Sequence, residues 1–147
     1  MKILVINGPN LNLLGKRDKK IYGEISLEKI NRLICEEFPQ EKFLFFQSNL
    51  EGAIVDQIQK AEERFDGIII NPGGFAHTSV AIRDALSETK LDKIEVHLSN
   101  LSSRESFRQN LLTASVCIGY VSGFKENSYT AAVYLLKKNF SKKKRKN

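Results

Sequence analysis

Lys2-Ile-Leu-Val-Ile-Asn-Gly-Pro-Asn-Leu-Asn-Leu-Leu-Gly-Lys-Arg-Asp-Lys-Lys-Ile-Tyr22 decides how the rest of the chain is read. Ile3 to Ile6 is a short apolar run with β-branched residues, closed by Asn7, Gly8 and Pro9. That is how a parallel strand covered on both faces, and its exit turn, should look. The polar loop that follows carries two glycines, Lys16, Arg17, Lys19, Lys20 and Tyr22. It is longer than the usual two to six residues of a βα connection, and loops of that length are functional or disordered.

From there the pattern repeats. Ser26 reads as the N-cap of a helix carrying Leu27, Ile30, Leu33, Ile34 and Phe38, and Lys42 to Gln47 as a strand. Ser48 with Glu51 reads as a capping box before a helix with Ala53, Ile54, Ile58 and Ala61. Gly67 to Ile70 is the third strand, after which Thr78 or Ser79 can cap a helix through Val80, Ile82, Ala85 and Leu86. Lys93 to Leu98 is the fourth strand, and Ser102 with Glu105 a second capping box opening a helix through Phe107 and Leu111. Val116 to Val121 and a helix over Tyr129 to Lys138 complete the series. Alternating strands and helices mean parallel strands joined by right-handed crossovers. The expected fold is α/β and flavodoxin-like: three layers, a five-stranded parallel sheet of order 2-1-3-4-5, and a ligand above the carboxyl ends of the strands.

The 147 residues fit one domain, expected over residues 1–140, with 141–147 a basic, disordered tail. Hydrophobic content of 41% and charged content of 27% are those of an ordinary globular protein. Of the net charge of +6, five charges sit at Lys142, Lys143, Lys144, Arg145 and Lys146, leaving 6 − 5 = +1 for the remainder. The basic run has no aromatic residue to stack a base, so it points to a solvated end and neither a nucleic-acid nor a membrane partner. No apolar run approaches membrane-spanning length and no signal-peptide pattern precedes the first strand, so the cytoplasm is the expected compartment. Cys35 and Cys117 lack metal or redox spacing and read as reduced core residues.

Ile94-Glu-Val-His-Leu-Ser99 alternates, putting Glu95, His97 and Ser99 on one side of the fourth strand. An edge strand facing water would alternate in the same way. Both histidines, His77 and His97, fall at carboxyl ends of strands, beside Asn10, Arg17 and Tyr22 from the first loop and Arg104 and Arg108 after strand four. The chain has no Gly-x-Gly-x-x-Gly, no Gly-Lys-Ser or Gly-Lys-Thr loop, no Gly-x-Ser-x-Gly elbow and no metal-ligand cluster. What remains is general acid and base equipment. A free phenol has a pKa of about 10, so a tyrosine base needs adjacent cations such as Arg17 and Arg104. A carboxylate beside an imidazole favours the imidazolium, a proton donor.

Asn7-Gly-Pro-Asn-Leu-Asn-Leu-Leu-Gly with Arg17 and Tyr22, Asn71-Pro-Gly-Gly-Phe-Ala-His-Thr-Ser, and Glu95-Val-His-Leu-Ser-Asn with Arg104 and Arg108 together resemble the type II 3-dehydroquinate dehydratases. The resemblance covers roughly Lys2 to Leu136; the tail lies outside it. It implies loss of water from 3-dehydroquinate to give 3-dehydroshikimate, by anti elimination through an enolate, without metal, nucleotide, lysine imine or other cofactor. Tyr22 would be the base, Arg17 its polarising partner on a mobile loop, and Asn10 the residue steadying the enolate through a water. His97, oriented by Glu95, would be the acid. Asn71 with Leu98 and Ser99 would hold the substrate carboxylate, beside Arg104. His77 and Arg108 would hold ring hydroxyls, joined by Asp84 from a neighbouring subunit. The resemblance further implies a homo-oligomer, a dodecamer built as four trimers, serving the shikimate pathway or quinate breakdown.

Two other readings stand beside this one. A non-catalytic carrier of a phosphate-bearing cofactor could share the fold, although Asn10, Arg17 and Tyr22 are not what a phosphate site favours. Nucleic-acid binding through the tail would give affinity that falls steeply with salt.

Overall fold

The computed structural model describes residues 1–16 and 18–145. Five parallel strands, β1 (Lys2–Asn7), β2 (Lys42–Gln47), β3 (Gly67–Asn71), β4 (Asp92–His97) and β5 (Gly119–Ser122), form one sheet of order β2-β1-β3-β4-β5, as the strand and helix alternation predicts. The short helix α1 (Lys19–Tyr22) lies in the long loop after β1. Helices α2 (Leu27–Glu37) and α5 (Asn127–Lys144) cover one face of the sheet, and α3 (Glu51–Gln59) and α4 (Val80–Glu88) the other.

The pleat of β1 sorts its side chains into two cores. Ile3 and Val5 pack with Ile30, Ile34, Val133 and Leu136, while Leu4 and Ile6 pack with Ile54, Ile58, Ile82 and Leu86. Each such fully buried side chain contributes on the order of 1.5–3 kcal/mol. The first strand therefore reads as a continuous apolar run because both its faces are covered. Gly8, which ends it, lies so close to the β3 exit that a Cβ there would collide with the Pro72 carbonyl. The turns after β1 and β3 are thereby pressed together at the carboxyl edge of the sheet.

Several boundaries differ from the sequence expectation. Ser26 and Ser79 do cap α2 and α4, accepting the amides of Lys29 and Ile82. Ser48 instead accepts the amide of Leu50 two residues on, at 2.9 Å, so the expected capping box with Glu51 does not form. After β4 no α-helix forms; 3-10 turns at Leu101–Ser103, Ser106–Gln109 and Ala114–Val116 carry the chain to β5. The reason is local. The Asn100 side chain takes the Ser102 amide at 3.2 Å, and Glu105 turns to Arg104 and Arg108 rather than back to the Ser102 backbone.

Helix α5 runs to Lys144, past the expected end at Lys138, so residues 141–144 continue the helix where a disordered tail is expected. Asn139 and Lys143 reach Asp92 at the start of β4, at 2.7 and 2.6 Å, which holds the extra turns against the sheet. Cys35 is exposed rather than buried, and Cys117 is half-buried. Strand β4 is not an edge: it lies between β3 and β5, and Glu95 is fully buried. Its alternation has another cause, which the site supplies.

Candidate active site

The exits of β1, β3 and β4 enclose a small crevice of about 100 Å³ at the carboxyl end of the sheet. At its floor Asn71, paired with Asn7 across β1 and β3, is joined to Asn7 by the fully buried Tyr129 of α5. The Tyr129 hydroxyl donates to Asn7 Oδ1 at 2.6 Å and accepts from Asn71 Nδ2 at 2.9 Å, while Asn71 Oδ1 takes the Gly73 amide at 3.2 Å. Burial pushes the phenol pKa up, so Tyr129 stays protonated and can donate. Asn71 lines the crevice, with its Oδ1 shaping the turn after β3 and one of its two Nδ2 protons given to Tyr129.

From β1, Asn10 enters the crevice lining in the left-handed backbone region, at φ 68°, which asparagine tolerates better than most residues. Its amide donates to Asn49 Oδ1 at 3.0 Å, and Gln47 from β2 ties Asn49 to the Gly8 carbonyl. Tyr22, on α1, also lines the crevice, with the Arg104 guanidinium 5.2 Å above its ring. Arg104 donates to Ser99 Oγ at 3.2 Å, so the cation is held between the tyrosine and the end of β4. Arg17 lies outside the described residues.

On β4 the polar side chains point away from α2 and α5, in register with Ile68 and Ile70, into the layer beneath the 3-10 turns. Nε2 of His97 lies 2.7 Å from Glu95 Oε1, and Thr113 Oγ donates to the other carboxylate oxygen at 2.5 Å. A carboxylate only accepts, so the imidazole proton on that side sits on Nε2, leaving Nδ1 as the nitrogen available for transfer. Thr113 and Glu95 are fully buried and His97 is 5% exposed. The polar face of β4 is therefore a buried histidine, carboxylate and threonine chain.

His77, at the end of the turn after β3, stacks against His97 with centroids 6.3 Å apart. Its Nδ1 lies 2.9 Å from the Asn110 carbonyl, and Nε2 is buried with no hydrogen-bond partner among the described residues. Burial lowers the His77 pKa, against the opposing effect of the Asn110 carbonyl, and the neighbouring His97 and Arg108 lower it further. The neutral ring then donates from Nδ1 and offers Nε2 as an acceptor. Arg108 lines the same wall, bound to Glu105 at 2.8 Å, and Leu98 and Ser99 form the adjoining backbone. Glu105 is held below the usual carboxylate range, first by its own backbone amide and then by Arg108.

Asp84 is not among these residues. It lies on α4 with its side chain 61% exposed, paired with Arg83 at 2.9 Å. Thr113, Tyr129 and the Asn110 carbonyl belong to the site although no sequence motif marks them. Only the alternating Glu95-His97 pattern hints that such supports are needed.

The class II dehydroquinase family model matches residues 1–137. The chain belongs to the class II dehydroquinase family. It is 51% identical over 139 residues to the 3-dehydroquinate dehydratase of Caldicellulosiruptor saccharolyticus, covering 92% of this chain and 96% of that one. The crystal structure of type II dehydroquinase from Butyrivibrio crossotus superimposes with a TM-score of 0.91 at 48% identity, covering 93% of this chain and 97% of that one. The corresponding structure from Propionibacterium acnes gives 0.87 at 31% identity, over 92% and 96% of the two chains. The dehydroquinase family is one of hydro-lyases, so the protein is an enzyme rather than a carrier.

Proposed function

We propose that this dehydroquinase removes water from 3-dehydroquinate in the anti sense through an enolate, with Tyr22 as base and His97 as acid. The observation that carries the reading is that Tyr22 under a guanidinium and His97 on a buried carboxylate line one crevice. A proton at C2 is acidified by the adjacent C3 ketone. The Tyr22 phenolate takes it, the electron pair moves onto the ketone oxygen, and Asn10 steadies that oxygen through a water. The enolate then collapses and the C1 to oxygen bond breaks. His97, in its imidazolium form with Nε2–H kept on Glu95, gives the Nδ1 proton to the departing hydroxyl and is left neutral. Water and 3-dehydroshikimate result.

In this reading Arg17 and Arg104 favour the phenolate, Glu95 keeps His97 oriented, and Asn71 with the Leu98-Ser99 backbone receives the substrate carboxylate. The acceptor Nε2 of His77 and the guanidinium of Arg108 suit ring hydroxyls. Asp84, exposed and away from the crevice, would complete a neighbouring subunit's site in a dodecamer of four trimers. The shikimate pathway and a cytoplasmic setting belong to the same reading and rest on the family resemblance. Among the described residues no helix is long and apolar enough to cross a membrane. The test is Tyr22→Phe, which should abolish turnover while product affinity stays near wild type; substantial residual turnover would remove Tyr22 as the base.

A further inference from the structure

Helix α1, which presents Tyr22 to the crevice, is a poor anchor by itself. It has four residues, none of them buried, and follows Gly15 at φ 87° and precedes Gly23 at φ 85°. A single turn of helix is not stable alone; Tyr22 rests half-buried against the α2–α5 core, while an open cavity of about 460 Å³ lies beside Lys20 and Ile21. The half-buried Tyr22 ring does not by itself fix the two residues before it, Lys20 and Ile21, which border that cavity.

Lys125 meets that need. Its Nζ donates to the Lys20 carbonyl at 2.7 Å and to the Ile21 carbonyl at 2.5 Å, the two residues immediately before Tyr22. Its own amide donates to the Leu98 carbonyl at 3.0 Å, directly after His97. Lys125 also has φ 52°, in the left-handed region that a lysine rarely adopts, so an unfavourable backbone is kept at this position. One residue thus bridges the strand end that carries the acid and the helix that carries the base.

We propose that Lys125 is a positioning residue, whose ammonium tethers the Tyr22-bearing helix to the carboxyl end of β4 and so sets the distance between base and acid. The inference rests on the reading of Tyr22 as base. Lys125→Met keeps the chain length and removes the two hydrogen bonds. Lys125→Gly also removes them but relieves the backbone. Lys125→Arg keeps donors within reach of the same carbonyls.

The experiment compares kcat, KM, thermal unfolding and amide hydrogen exchange over residues 19–23 in the three variants, with Tyr22→Phe alongside. Lys125→Met and Lys125→Gly should both lower kcat by about tenfold to a hundredfold, the scale of a misplaced reacting group, with a smaller change in KM. Both should exchange faster over residues 19–23, although Lys125→Gly melts no lower than wild type, and Lys125→Arg should recover much of the rate. Wild-type kcat and exchange in Lys125→Met, or in Lys125→Gly, would overturn the tether. If Tyr22→Phe is inactive while the Lys125 variants turn over normally, only the tether fails. If Tyr22→Phe is active, the base assignment fails, and the exchange measurement still decides whether Lys125 holds the helix.

Discussion

Thr113 donates its hydroxyl to Glu95 at 2.5 Å, with both side chains fully buried beneath the crevice. The other oxygen of that carboxylate holds His97, so the threonine fixes the rotamer of the group that orients the proposed acid. A hydrogen bond to a charged group contributes about 1.5–3 kcal/mol. Thr113→Val, which keeps the shape and loses the donor, should lower kcat by about tenfold to a hundredfold, and Thr113→Ser should restore most of it. Equal rates in the valine and wild-type enzymes would mean that Glu95 is held without this bond.

His97 itself tests the acid. Replacing it with alanine should cost about 10² to 10⁴ in kcat, the usual span for a positioned proton donor, with product affinity less affected. A near-normal rate in steady-state assays of His97→Ala would move the acid elsewhere.

The neighbouring His77 should behave differently from an ordinary imidazole. Burial lowers its pKa and the Asn110 carbonyl accepts from Nδ1, so the ring should become charged only at lower pH than a free histidine, with the neutral form the Nδ1-protonated tautomer. Nitrogen-15 chemical shifts across a pH titration would report this. A midpoint at or above the usual value, or protonation at Nε2 in the neutral form, would contradict it.

A second titration concerns stability rather than turnover. Burial raises the Glu41 carboxyl, but hydrogen bonds and charge from Lys137, 2.7 Å away, and from the N-terminal ammonium outweigh that and leave its pKa lowered. A group depressed on folding stabilises above its unfolded pKa, and that contribution is lost as pH falls through the folded value. Glu41→Gln should therefore unfold at lower denaturant than wild type at neutral pH, with the two curves converging in acid. A gap that persists or widens at low pH would show that the charge is not what matters.

Much of the fold and of the crevice is legible in the amino-acid sequence. The apolar run Ile3 to Ile6 signals a strand covered on both faces, and the alternation around His97 signals a polar face, although an edge strand would read the same and only the sheet order shows the strand to be interior. Asn10, Tyr22, His77, Arg104 and Arg108 converge because they follow strands whose carboxyl ends a parallel sheet must bring together. What the pattern does not reveal depends on competition between partners. Ser102 and Glu105 match a helix start, yet Asn100 takes the amide and the two arginines take the carboxylate, so 3-10 turns form instead. Thr113, Lys125 and Tyr129 look like ordinary loop or helix residues, and their roles come from partners 18, 104 or 122 positions away. Local periodicity carries no trace of contacts at that separation.

The enone of 3-dehydroshikimate absorbs in the ultraviolet, so the reaction can be followed as purified, assembled protein meets 3-dehydroquinate, with and without a chelator, and before and after borohydride treatment. Rapid rise of that absorbance, unchanged by the chelator and by prior treatment of the enzyme with substrate and borohydride followed by their removal, is expected of an enolate route that uses Tyr22 and His97 without metal or imine. Loss of turnover on borohydride treatment with substrate present would reveal an imine, loss with the chelator would reveal a metal, and no turnover at all would leave the crevice without its proposed reaction.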